Sequence, residues 1–199
     1  MKIIGLTGKS GAGKGEACKA FYSFGLESVD TDKISRDVTR KGGYCLSELV
    51  ETFSGAILTK YGELDRGKLA EMAFSSREKL DMLNKITHKH ILCECSRILL
   101  DMQSAGRKAV IIDAPLLFES GFEKNCEVVI SVVADSETCI SRIIKRDKIE
   151  REQAENRIKN QKSDSFFIEN SDYVIYNDSD YADIYIQVSK IYHTIFGEN

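Results

Sequence analysis

The sequence lacks several features that would narrow its function at once. It has no large excess of charge: 28 Lys and Arg against 31 Asp and Glu leave −3 among 199 residues. Proteins that grip nucleic acid are usually basic, at least in patches, so no nucleic-acid partner is expected. No segment approaches the roughly 20 consecutive apolar residues of a membrane span. The opening MKIIGLTG is too short an apolar stretch for a signal-peptide core and turns to glycine at once. There is no C-x-x-C pair. Cys18, Cys45, Cys93, Cys95, Cys126 and Cys139 are scattered, and Cys93-x-Cys95 is too tight for the usual zinc spacing. Such thiols read as reduced core residues of a cytoplasmic protein. Proline is nearly missing, with Pro115 alone, and repeats, low-complexity tracts and linkers are absent. What remains is 42% apolar and 30% charged, an ordinary globular balance, and long enough for one α/β unit with insertions.

The apolar pattern alternates between strand and helix. Lys2–Thr7 reads as a short buried strand that ends in a glycine loop. A helix follows through Ala17, Cys18, Ala20 and Phe21 and stops at Gly25. Leu26–Val29, Ala109–Asp113, Glu127–Val133 and Tyr173–Tyr176 read as further strands. Ser136–Asp147, Ile149–Gln161 and Tyr181–Phe196 read as helices. Short apolar strands alternating with helices predict a parallel sheet covered on both faces. The link between the second and third strands carries about 75 residues of helical pattern, against the dozen or more that a crossover requires. That excess predicts a helical insertion over about residues 33–106, a natural place to recognise a second substrate.

The first loop reads GLTGKSGAGKGE. Gly8, Gly13 and Lys14 stand in the register of a phosphate-binding loop, between a strand and a helix. Glycines let the backbone wrap around phosphates, the helix N-terminus favours the anion, and Lys14 can reach the β- and γ-phosphates. Gly8, Lys9, Ser10, Gly11, Ala12, Gly13, Lys14, Gly15 and Glu16 are therefore candidate nucleotide-binding residues. Asp30-Thr31-Asp32 ends the second strand, where ligands of open parallel sheets bind. One of these residues can cap the next helix; Asp32 is the candidate that orients or deprotonates an acceptor hydroxyl. Asp113 ends the third strand and is placed to hold Mg²⁺. Glu119 follows in IIDAPLLFE. Arg142 and Arg146, four apart on one helix face, are candidates to clamp phosphates, whereas Arg151 reads as part of a solvated charged face. His88 and His90 fall on different faces of a helix, so they are not expected to share a metal; Lys85, His88, Lys89 and His90 form a basic cluster.

Taken together, GLTGKSGAGK, VDTDKISRDV, LNKITHKHI, DAPLLFE, SRIIKRDKIEREQAENRIKNQ and DYVIYND span nearly the whole chain. In this set the sequence resembles the dephospho-coenzyme A kinases. The resemblance implies a three-layer P-loop kinase fold with sheet order 2-3-1-4-5. It implies a core of about residues 1–32, 107–140 and 170–199, the insertion at 33–106 and a lid at about 141–169. It implies ATP and Mg²⁺, and phosphorylation of the ribose 3′-hydroxyl of dephospho-coenzyme A by a monomer or weak homo-oligomer. The family's loop lysine maps onto Lys14, its acceptor-side aspartate onto Asp32, its lid arginine onto Arg142 or Arg146. Its final N-D pair, near the adenine in similar kinases, maps onto Asn177 and Asp178. His88, Leu116 and Glu119 join Asp32 as substrate-binding candidates, and Asp113 stands as the metal ligand.

Two positions depart from that family. His88-Lys89 replaces a usual His-Pro, which is expected to alter a local turn. Gly15 replaces the Ser or Thr whose hydroxyl normally touches Mg²⁺. The sequence leaves two other readings open: a shikimate-type small-molecule kinase, and a non-catalytic nucleotide-binding protein for which Gly15 is the sole support. A GTPase is disfavoured, since Asn84-Lys85-Ile86-Thr87 lacks the final aspartate of a guanine motif.

Overall fold

The protein is described by a computed structural model, which covers residues 1–178 and 181–197. The chain divides into two compact units, Met1–Val29 with Gly106–Asn199, and Asp30–Ala105.

The first unit is organised by one five-stranded sheet. Its strands are β1 (Lys2–Thr7), β2 (Glu27–Asp30), β3 (Ala109–Asp113), β4 (Val128–Val133) and β5 (Tyr173–Tyr176). The order is β2-β3-β1-β4-β5, the order that the resemblance implies. β1 pairs in parallel with β3 and with β4, and β4 with β5. The inner strands β1, β3 and β4 are near-continuous apolar runs because both faces are covered, whereas β2 at the edge buries Val29 alone. On one face Ile4, Leu6, Ile111, Ile130, Val132 and Ile175 meet Ala17, Ala20 and Phe21 of α1 (Lys14–Ser23), and Ile184, Val188 and Ile191 of α9 (Tyr181–Phe196). On the other, Gly5 faces Leu117 and Cys126, so the segment after β3 lies against β1 there. Each fully buried Leu or Ile contributes about 1.5–3 kcal/mol, which makes this layered core the main source of stability.

Helix ends refine the sequence reading. α1 stops at Ser23, and Gly25 lies beyond it in the left-handed region at φ +80°. There the Leu26 N–H donates to Phe21 O at 3.2 Å and the Gly25 N–H to Tyr22 O at 2.9 Å. This double closure satisfies carbonyls that the helix leaves open, and Leu26 packs into the same cluster as Phe21. The second strand consequently begins at Glu27, one residue later than expected. Three helices follow β4: α6 (Ser136–Asp147), α7 (Arg151–Lys159) and α8 (Asp164–Glu169). α6 starts on Asp135, whose carboxylate accepts from the N–H groups of Glu137 and Thr138. α7 is shorter than the predicted Ile149–Gln161, because Glu150 and Gln153 form a reciprocal capping box that sets its first turn.

The second unit is helical: α2 (Thr31–Val38), α3 (Tyr44–Phe53), a short 3₁₀ turn, α4 (Arg66–Ala73) and α5 (Arg77–Ser104). Cys45, Leu49, Phe53, Ile57, Leu69, Ala73 and Ile86 form its core. α5 runs unbroken through Lys89, where a turn was expected to differ. A lysine keeps the backbone N–H that a proline would remove, so the helix continues. Among the described residues no helix is long and apolar enough to cross a membrane.

Gly25 should be costly to replace. Nothing lies within 4 Å of an added Cβ there, so the cost is backbone strain alone. Gly25→Ala is expected to lower stability by about 1–2 kcal/mol, and Gly25→Asn by less, in urea unfolding.

Candidate active site

The loop between β1 and α1 is shaped by its neighbours in the first unit. Gly8, Gly11 and Gly13 have φ of +139°, +82° and +96°. A Cβ on them would run into Val132 O, Cys139 O and the Asn177 side chain respectively. The glycines are thus required by the protein's own close packing around the loop, before any phosphate is considered.

Asn177 is the centre of that packing. Its N–H donates to Val133 O at 2.8 Å, extending the β4–β5 ladder past the end of β5. Its side-chain amide is then delivered to the loop, where Nδ2 donates to Ala12 O at 2.6 Å. Arg142 on α6 completes the brace. Its Nη1 donates to Asn177 O at 3.1 Å and Gly11 O at 3.4 Å, and Nη2 donates to Asn177 Oδ1 at 3.3 Å. Asn177 is only 3% exposed, so these are contacts that water does not replace. Asp178 accepts from the Asp135 N–H at 2.7 Å and secures the start of α6. The Asn-Asp pair, expected near the adenine, therefore places both side chains on the loop and on the helix that braces it.

Lys14 and Lys9 differ sharply. Lys14 Nζ donates to Gly8 O at 3.3 Å, lying over its own loop. Lys9 is 7% exposed and its ammonium pairs with Asp164 of α8 at 2.8 Å. The Ser10 N–H donates to Gln161 Oε1 at 2.9 Å, and Arg146 Nη2 reaches Ser10 Oγ at 3.4 Å. Arg146 is held in turn by both oxygens of Asp147, which also accepts from Arg157. Hydrogen bonds from Arg146, then from Arg157, hold the Asp147 carboxyl well below the usual carboxylate range. Arg151 pairs with Glu137 and Glu155 on the surface, the solvated role expected of it. Glu16 pairs with Lys19 at 2.8 Å, also exposed.

Asp113 sits opposite Leu6, at the end of β3 beside the start of the loop. Its Oδ2 accepts from the Cys18 thiol at 3.7 Å. Burial first, then the Asp113 charge, push that thiol up to about 12. Leu116 and Glu119 are exposed in the turn that follows, while Leu117 is fully buried and Phe118 meets Phe166 edge-on at 5.2 Å.

In the second unit the three candidate residues of Asp30-Thr31-Asp32 separate. Asp30 is the cap of α2, accepting from the Lys33 N–H at 3.0 Å. Asp32 is exposed in the first turn of α2. His88 is half-buried on α5, and burial lowers its affinity for a proton. Lys89 and His90 both meet Glu48 of α3, at 2.7 and 2.8 Å, and brace α3 on α5.

The residues present suit a divalent cation. Among the described residues no group of three or more His, Cys, Asp or Glu could hold a metal alone. One carboxylate with substrate phosphates and several waters is, however, the usual way of holding Mg²⁺. Asp113, at the end of β3 beside the loop, is the carboxylate that could do so. Nothing lies within 4 Å of a Cβ added at Gly15, so the space at the hydroxyl's usual position is open to water.

Sequence reasoning missed the braces: Lys9 with Asp164, Ser10 with Gln161, and Arg146 with Asp147 and Arg157. No local pattern announces them. Cys18 was readable, since it lies four residues after Lys14 and thus on the same helix face.

A braced glycine loop at the mouth of a parallel sheet, followed by a lysine and an arginine-rich helical segment, defines a P-loop phosphotransferase. The dephospho-CoA kinase family model matches residues 2–183. The dephospho-CoA kinase of Fusobacterium nucleatum is 39% identical over 98% of this chain and 99% of its own. A crystal structure from Thermus thermophilus has a TM-score of 0.82 at 26% identity, covering 100% of this chain and 98% of that one. Dephospho-CoA kinase from Campylobacter jejuni has a TM-score of 0.70 at 27% identity, covering 98% of both. The chain belongs to the dephospho-CoA kinase family.

Gly15→Ser should fold normally, given the open space, and gain at most about 0.5 kcal/mol in the first helical turn. It should also lower the Mg²⁺ concentration for half-maximal activity. Identical Mg²⁺ titrations of the two proteins would show that the hydroxyl is irrelevant here.

Proposed function

We infer that the chain transfers the γ-phosphoryl group of ATP to the ribose 3′-hydroxyl of dephospho-coenzyme A, giving coenzyme A and ADP. The observation that carries this reading is the family match over residues 2–183, joined to a phosphate loop whose shape is already enforced by its neighbours. Membership of this family sets aside the shikimate-type reading. Retention of Lys14, Asp32 and Asp113 argues against a non-catalytic binder.

The roles assigned to the residues follow their surroundings. The loop Gly8–Gly15 receives the ATP phosphates, with backbone N–H groups and the α1 N-terminus facing the anion. Lys14 neutralises charge on the β- and γ-phosphates. Between the two candidate arginines we divide the work. Arg142 is committed to bracing the loop, whereas Arg146 is exposed, held in one pose by Asp147, and suited to clamp the transferring group. Asp32 is assigned to the acceptor: with Asp30 taking the cap, its carboxylate is left for orienting and deprotonating the hydroxyl. His88, Leu116 and Glu119 are assigned to the acceptor substrate. Asp113 would hold Mg²⁺, which when bound would neutralise charge on the phosphates. We place the reaction in the cytoplasm, where the six free thiols suit a reducing compartment.

A coupled assay of ADP release with dephospho-coenzyme A, and with shikimate as the control, tests the reading. Turnover is expected with the first substrate alone; turnover with shikimate alone would overturn it. In the same assay Asp32→Asn should cut kcat by about 100-fold or more with KM for ATP little changed. Unchanged turnover would remove Asp32 from the mechanism.

A further inference from the structure

Cys18 takes no part in the roles assigned above, yet its thiol meets a carboxylate beside the loop. It lies on α1, four residues beyond Lys14 and three beyond Gly15, so the three share one helix face. Its thiol donates to Asp113 Oδ2 across 3.7 Å. That contact links α1 to β3, both within the sheet unit.

The chemistry of that contact matters. A thiol offers a single weak, neutral donor. It can orient a carboxylate without cancelling its charge. An ammonium or guanidinium in the same place would compete with the metal directly. Orientation also counts for more in this chain than in one with a hydroxyl at position 15. With Gly15 there, Asp113 is the one protein oxygen near the loop that we assign to the cation.

We propose that Cys18 is a positioning residue for Asp113: its thiol holds the carboxylate in the pose that receives the divalent cation. The proposal rests on the reading of Asp113 as metal ligand. Residues that orient metal ligands typically contribute 10–100-fold in metal affinity, and a weak donor belongs at the lower end of that range.

The test is Mn²⁺ binding to the ADP complex of the full chain, followed by electron paramagnetic resonance. Cys18→Val keeps the apolar bulk and removes the proton; it should weaken Mn²⁺ by about tenfold. Cys18→Ser keeps a donor and should stay within about threefold of the parent. Asp113→Asn should weaken Mn²⁺ at least as much as Cys18→Val. In turnover, Cys18→Val should raise the half-saturating Mg²⁺ concentration by more than it lowers kcat. Melting midpoints without metal separate these effects from packing. Wild-type Mn²⁺ affinity in Cys18→Val, or equal weakening in the Val and Ser variants, would overturn the proposal. If Asp113→Asn leaves Mn²⁺ affinity unchanged, the ligand reading itself fails and the proposal with it, which is distinguishable from the first two outcomes.

Discussion

The phosphate loop depends on one side chain that arrives from the far end of the sequence. Asn177 reaches the loop because the β4–β5 ladder extends one residue past β5, and its amide then donates to Ala12 O. Arg142 fastens Asn177 and Gly11 together from the α6 side. A loop with three glycines at positive φ has high conformational entropy when unfolded, so it needs such contacts to hold a single shape. The brace supplies them with buried, paired polar groups, and the loop amides are then ordered before any anion arrives. That is preorganisation in the physical sense: the ordering cost falls on folding rather than on binding.

The same logic extends to the helices after β4. Lys9, Ser10 and the Gly11 carbonyl each have a partner on α6, α8 or the connection between α7 and α8. The Lys9–Asp164 pair is nearly dry on the lysine side, and one Asp164 oxygen has no hydrogen-bond partner among the described residues. Such a pair is weak evidence for stability but strong evidence for register, because breaking it leaves a charge stranded. Gly15 fits this picture as a local exception. It is the loop residue with no neighbour to satisfy, and its open side leaves room for water where a hydroxyl would otherwise stand.

Much of the fold was legible in the sequence, for a physical reason. β1 and β3 are short, largely buried apolar runs and β5 is a short apolar run at the sheet edge, so their bounds follow from apolar character alone. α6 and α9 were equally clear from their helical spacing. The loop, its lysine and the strand-end carboxylates could be read as well, because phosphate binding demands those residue types at that spacing. What could not be read was how the loop is held. Asn177 and Ala12 are separated by 165 positions, and Ser10 and Gln161 by 151. Contacts between such distant residues carry no periodic signal. The capping of α2 was similar: which of Asp30, Thr31 and Asp32 caps the helix was open until the backbone bonded Lys33 to Asp30. Cys18 was visible but dismissed with five other thiols, since its neighbour Asp113 comes from another strand.

The central claim is that Asn177 preorganises the loop for ATP. Calorimetric titration of Asn177→Ala with ATP, well below the melting range of both proteins, tests it most directly. The account predicts that ATP affinity falls by about tenfold or more, ~1.4 kcal/mol, while the variant remains folded. An Asn177→Ala protein that binds ATP as tightly as the parent would contradict it.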